Sequence, residues 1–145
     1  MKISAKSDYA IRAVAYLAAA DGSRVKAEIL AAEARIPRQF LENILAELRR
    51  AGIVRARRGS EGGYEMARPA AEVDLGMVLA AVGSPLSEID PERDGRPSAS
   101  VDDVWLALQA ATRTMLERVT FADLIAGSLP ADVQRLARKE RARQA

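Results

Sequence analysis

The sequence predicts a mainly α-helical protein with one small β-hairpin: a winged helix-turn-helix domain with a long helix behind it. Three observations predict that class. Residues 38–50 form a helix with two chemically distinct faces. A pair of short strands with a basic, glycine-rich tip follows at once. Residues 101–119 then hold the longest helical pattern in the chain, with an apolar seam of its own.

Residues 5–20 read as the first helix, alanine-rich, with Ile11, Val14, Ala15, Leu17 and Ala18 available for burial. Asp21-Gly22 closes it as a turn. A second helix is expected from Lys26 to Ala34, burying Ile29, Leu30 and Ala32. Its N-cap is poor, because Lys26 stands where a hydroxyl or carboxamide is preferred. Arg35 and Ile36 then lead to Pro37, which suits the first turn of a third helix.

Projected at about 100° per residue, Phe40, Leu41, Ile44, Leu45 and Leu48 share one side of that third helix. Arg38, Gln39, Glu42, Asn43, Ala46, Arg49 and Arg50 share the other. Guanidinium forks, carboxamides and a carboxylate are the groups that read base edges, and Ala46 leaves room for close approach to a groove. An ordinary surface helix divides the same way, so the helix alone does not separate the two readings. The segment after it does. Gly52 occupies the C′ position, Ile53–Arg57 reads as a strand and Tyr64–Met66 as its return partner. Between them, Arg57, Arg58, Gly59, Ser60, Glu61, Gly62 and Gly63 combine cations suited to phosphates or a narrow minor groove with glycines that permit tight turns.

Beyond the hairpin, residues 70–74 are a connection and Leu75–Val82 a short helix, with Leu75, Val78, Leu79 and Val82 packing back on the first domain. Residues 84–100 carry three prolines and a run of acids, a composition expected of a solvated loop. A carboxylate metal site from Glu88, Asp90, Glu92 and Asp94 is the alternative there, without EF-hand spacing to support it. Val101–Val119 is about 28 Å long as a helix. Val101, Val104, Leu108, Ala111 and Met115 repeat at spacings of three and four, with Trp105, Leu106 and Leu116 widening the apolar surface. The seam is read as a dimerisation surface, with Trp105 included; an intramolecular core helix is the alternative. Thr120-Phe121-Ala122-Asp123 has the form of a capping box for a short helix ending near Gly127. From Pro130 a basic tail is expected, a frayed helix that aids solubility; a role in gripping DNA is the alternative. The divisions are therefore 1–83 for the winged helix-turn-helix, 84–100 for the acidic loop, 101–129 for the long and following helices, and 130–145 for the tail.

Composition narrows the function. The 145 residues contain no cysteine and no histidine, which removes disulfides, thiolate-held iron–sulfur clusters, nearly all zinc sites and the usual nucleophile–base pairs. Enzymatic activity is not expected. No apolar run is long enough to span a membrane and the first residues lack a signal-peptide core, so a cytoplasmic location is expected. A formal net charge of +2 conceals asymmetry: residues 1–70 carry 13 Lys and Arg against 8 Asp and Glu, and residues 71–130 carry 4 against 10. The basic half coincides with the helix-turn-helix, as an electrostatic footprint on double-stranded DNA should. A winged-helix module that binds protein in place of DNA is the rival. A sequence-tolerant architectural protein suits the small net charge poorly.

The runs MKISAKSDYAIRAVAYLA, IPRQFLENILAELRRAGIVRARRGSEGGYEMARP and TFADLI resemble the Rrf2 family of bacterial transcription regulators across almost the whole chain. The resemblance implies a winged-helix dimer on a roughly two-fold-symmetric operator, and the chain is read as a homodimeric repressor on a palindromic operator. It places Gln39 and Glu42 near bases, Arg58 with Gly59 in the minor groove, and Ser4, Lys6 and Tyr9 near phosphates. Arg38, Asn43, Arg49 and Arg57 share the exposed faces. The wing reads Arg-Gly-Ser-Glu-Gly-Gly where many relatives have Arg-Gly-Pro-Gly-Gly-Gly, a less basic tip. Cluster-binding relatives place three cysteines where this chain has its cysteine-free acidic loop. Asp8 matches an oxygen ligand of some relatives, but here it reads as a helix N-terminal charge near Arg12. Without a cluster, an unidentified small-molecule effector, a protein partner or no signal at all remain, and Trp105 is the place to look for a pocket.

Overall fold

Ser4 begins the first helix by accepting a hydrogen bond from the Ser7 N–H, and α1 runs Ala5–Ala19. The computed structural model describes residues 2–84 and 99–145. After α1 come α2 (Ala27–Glu33), α3 (Arg38–Arg50), β1 (Val54–Arg57), β2 (Gly63–Met66) and a single 3₁₀ turn at Ala70–Glu72. The remaining elements are α4 (Leu75–Ala81), α5 (Ala99–Glu117), α6 (Phe121–Ala126) and α7 (Ala131–Gln144). The fold is mainly helical with a two-stranded antiparallel hairpin, as the sequence predicts.

The core lies where α1, α3, α4 and α6 meet. Leu17, Leu30, Leu41, Ile44, Leu45, Leu48, Val78 and Phe121 are fully buried there. Each such side chain contributes about 1.5–3 kcal/mol through loss of apolar surface from water. Asp74 caps α4 through Met77 N–H, and Thr120 and Asp123 form the expected reciprocal capping box on α6. Gly127 ends α6 in the left-handed conformation. Phe121 N–H donates to the Val73 carbonyl and Leu75 N–H to Val119, so α6 is laced to the start of α4 and shares the core of α1.

Several expectations need correction. Ile29 is half exposed and Ala32 exposed, because α2 is only seven residues long and turns a single residue, Leu30, fully inward. In α1 the fully buried small residues are Ser7, Ala10 and Ala13, while Ile11 and Ala15 lie on its half-buried flank. Helices pack on more than one side of α1, and small residues permit that approach. Phe40 is 40% exposed and meets Tyr9 edge-on at 5.6 Å. Ser84, expected in the solvated loop, is buried against Ser7 Oγ at 2.9 Å. The long helix starts at Ala99, two residues before expectation. The basic tail is a regular helix to Gln144, held at its start by Arg118–Asp132 at 3.0 Å. The acidic residues Glu88, Asp90, Glu92 and Asp94 lie outside the described residues.

Candidate nucleic-acid interface

α3 is placed by its apolar stripe and ended by its glycine. Leu41, Ile44, Leu45 and Leu48 are 0–1% exposed, which turns the opposite arc to solvent. At its C-terminus Gly52 adopts φ 73°, Ile53 N–H reaches back to the Leu48 carbonyl and Gly52 N–H to Arg49. That pair of bonds is a Schellman motif, and it swings the chain into β1.

The turn between α2 and α3 is braced from α1. Arg35 sits there at φ 54°, a left-handed conformation that is costly for a residue with a side chain. Arg12 Nη1 donates to the carbonyls of Ala34 and Arg35 at 3.2 and 3.3 Å. Asp8 accepts from Arg12 Nε at 2.9 Å, and the guanidinium lies 5.0 Å from the Tyr9 ring centre. Arg12 is thus a positioning residue absent from the sequence-derived set. Its partners are 22 and 23 residues away, beyond any helical spacing.

On the outer arc the expected residues divide into two groups. Arg38 is held by Glu28 at 2.7 Å and lies 3.6 Å from Glu42. The Glu28 carboxyl is kept below the ordinary carboxylate range, first by its own backbone N–H and then by the Arg38 guanidinium. Lys6 pairs with Glu47 at 2.9 Å, tying the first turn of α1 to α3. Ser4 is exposed and engaged in capping, and Tyr9 is half-buried against Phe40. By contrast Gln39, Asn43, Arg49, Arg57 and Arg58 are exposed and carry no side-chain ion pair or hydrogen bond among the described residues.

The wing keeps its cations outward through buried polar partners. Val54 pairs with Met66, Arg55 with Glu65, Ala56 with Tyr64 and Arg57 with Gly63. Glu65 is buried and accepts from Arg55 at 2.8 Å, with Arg24 at 3.9 Å. Val25 and Tyr64 exchange two backbone bonds of 2.8 Å, and Arg24 reaches the Glu61 carbonyl at the tip. Gly59 has φ 104°, and Gly62 N–H donates back to its carbonyl. A Cβ on Gly62 would lie 2.4 Å from the Arg57 carbonyl oxygen, so the tip requires glycine for space. Arg24 is a second supporting residue that local pattern does not reveal.

Behind this interface, Val101, Val104, Trp105, Leu108 and Ala111 of α5 are exposed and Met115 is half-buried. The side of the helix that lines a cavity with α4 carries Gln109, Arg113, Leu116 and Glu117 instead. Trp105 is exposed and is not among the residues lining the cavity between α4 and α5. No helix among the described residues is long and apolar enough to cross a membrane.

The Rrf2 family model, described as an iron-dependent transcriptional regulator, matches residues 3–127. The chain is 44% identical over 151 residues to the candidate HTH-type transcriptional regulator Rv1287 of Mycobacterium tuberculosis, covering 99% of this chain and 93% of that protein. It is 30% identical to the HTH-type transcriptional regulator IscR of Cereibacter sphaeroides, over 86% of this chain and 87% of that protein. Among solved structures, CymR, the global cysteine regulator of Bacillus subtilis, superposes with a TM-score of 0.74 at 25% identity, covering 88% of this chain and 98% of that one. IscR of T. potens gives 0.74 at 26% identity, covering 88% of each.

Proposed function

The chain belongs to the Rrf2 family of transcriptional regulators and is not an enzyme; from that premise we propose that it acts as a homodimeric repressor on a palindromic operator. The observation that carries this reading is the uncovered polar arc of α3 beside the wing, where Arg49, Arg57 and Arg58 have no protein carboxylate to neutralise them among the described residues. Two α3 helices would enter successive major grooves about 34–36 Å apart. Arg57, Arg58 and the first turn of α1 supply phosphate and minor-groove contacts, which give affinity and salt dependence. Gln39 to adenine and Glu42 to cytosine supply discrimination, about 1–3 kcal/mol each. Asn43, Arg38 and Arg49 stand on the same arc and fix register. The Val101–Met115 seam joins the two copies in the cytoplasm, where the operator is.

The family model is described as iron-dependent, and a thiolate-held cluster is the group that description implies. The donor set does not fit it: the chain has no cysteine or histidine, and Asp8 is committed to Arg12. Repression is therefore proposed to proceed without an iron–sulfur cluster.

Genome-wide footprinting with the purified protein tests the whole reading. The expected result is a two-fold-symmetric consensus, with binding that weakens steeply as salt rises. If Glu42→Ala leaves the ratio of operator to scrambled-duplex affinity unchanged, its base-reading role is wrong. Indifference to every duplex at low salt would favour the protein-binding rival.

A further inference from the structure

Between α4 and α5 lies a cavity of about 410 Å³, within the range of small-molecule sites. Met77 and Ala80 of α4 and Leu116 of α5 supply its apolar part. Gln109, Arg113 and Glu117 of α5 supply its polar part. We propose that this cavity binds a small zwitterion of the α-amino-acid type with an apolar side chain, and that its occupancy tunes DNA binding; the second half rests on the function proposed above.

The charges select the class. Arg113 and Glu117 stand one helical turn apart and both line the cavity, yet among the described residues they pair neither with each other nor with another side chain. A carboxylate takes the fork of Arg113, with the Gln109 carboxamide one turn away to donate a further bond. An ammonium takes Glu117. A plain carboxylic acid would meet the Glu117 charge unopposed, and a plain amine would meet Arg113. Asp74, also in the wall, already caps α4 through Met77 N–H, which leaves Glu117 as the carboxylate for the ligand. Gly76 keeps the wall thin, since a Cβ there would lie 3.0 Å from Asp74 Oδ1 and 3.4 Å from Glu117 Cγ.

Position supplies the consequence. α5 rests on the rest of the chain chiefly through α4, and α4 packs on α1 and α3. α1 in turn is tied to α3 by Lys6–Glu47. The cavity face of α5, centred between Gln109 and Arg113, lies roughly 140° around the helix from the line through Val101, Val104, Leu108, Ala111 and Met115. A ligand wedged at this joint changes how the long helix sits on the DNA-reading helices.

The experiment melts the purified 145-residue protein, without DNA, in the presence of L-leucine, L-methionine and L-valine. Isovaleric acid and isobutylamine are the single-charge controls. At least one amino acid is expected to raise the melting temperature and neither control to do so. Arg113→Gln and Glu117→Gln should each abolish that shift while retaining the ligand-free melting temperature. The same amino acid should change operator affinity by about fivefold or more. The site is refuted if none of the three shifts the melt, if a control matches them, or if the shift survives both variants. A change of oligomeric state in Arg113→Gln without any ligand shift assigns the cavity to a subunit contact and also refutes it. Because the melt needs no DNA, failure of the ligand site is distinguishable from failure of the DNA-binding function; a ligand shift without any change in operator affinity overturns only the tuning.

Discussion

Helices α3 and α5 are both amphipathic, but the protein covers opposite sides of them. α3 hides Leu41, Ile44, Leu45 and Leu48 completely and shows water a polar arc. α5 sets Gln109, Arg113 and Leu116 on the side toward α4 and leaves Val104 59% and Leu108 49% exposed. Polar groups facing water are already satisfied, so the α3 arc is stable uncovered and free for a polar, charged ligand. A row of large apolar side chains facing water forgoes the main favourable term of folding and association. The same helical period thus leaves two kinds of surface, and what decides is which stripe the fold leaves over.

Truncating one apolar residue from each helix measures that difference directly. Leu45→Ala removes a fully buried side chain and should cost about 2–5 kcal/mol of unfolding free energy, read as a lower urea midpoint. Leu108→Ala should change monomer stability at high dilution by less than about 0.5 kcal/mol. Its effect should instead appear as a shift of the monomer–dimer balance in analytical ultracentrifugation. Equal losses of monomer stability in the two variants would mean that α5 is an ordinary core helix.

A smaller effect is expected where the polar arc continues into the wing. Gly62→Ala forces a Cβ against the Arg57 carbonyl, so the tip must open and Arg57 and Arg58 no longer point the same way. Operator affinity should fall by about tenfold, and the salt slope should flatten by about 0.9 for each phosphate that the wing ceases to neutralise. The urea midpoint should barely move, because the tip lies outside the core. Unchanged affinity would detach the wing from DNA recognition.

The features legible in the sequence are those written within a few residues. The stripe of α3, the Gly52 cap, the Thr120–Asp123 box and the turn residues of the hairpin all depend on short spacings. What escaped depends on distance along the chain. Ser7 and Ser84 meet across 77 residues, Lys6 and Glu47 across 41, and Arg24 and Glu61 across 37. Burial of Ala10 and Ala13 escaped for a related reason: a single periodic stripe describes a helix packed on one side, whereas α1 is packed against α3, α4 and α6. Arg38 looked like a free reader on its helix wheel, and only the fold brings Glu28 of α2 to it.

That last pair sets the finest test of how open the α3 arc is. Glu28 and Arg38 are both more than half exposed, so the bond between them is screened and weak, yet it competes with DNA for one guanidinium. The Glu28 carboxyl is held below its ordinary range, chiefly by its own backbone N–H, so its contribution is present above the unfolded-state value and is lost as pH falls through the folded one. Arg38 therefore stays paired through neutral and mildly acidic pH, and with no histidine in the chain the polar arc should bind DNA almost equally at about pH 6 and pH 8. Glu28→Gln imitates the protonated state at any pH. It should tighten binding to operator and scrambled duplex alike by about two- to threefold at low salt, and steepen the salt slope by up to about 0.9, the signature of one further phosphate contact. Fluorescence anisotropy across a salt series reads both quantities. If the slope stays fixed, Arg38 either reaches phosphate with Glu28 in place or does not reach it at all, and the arc is narrower than its exposed cations suggest.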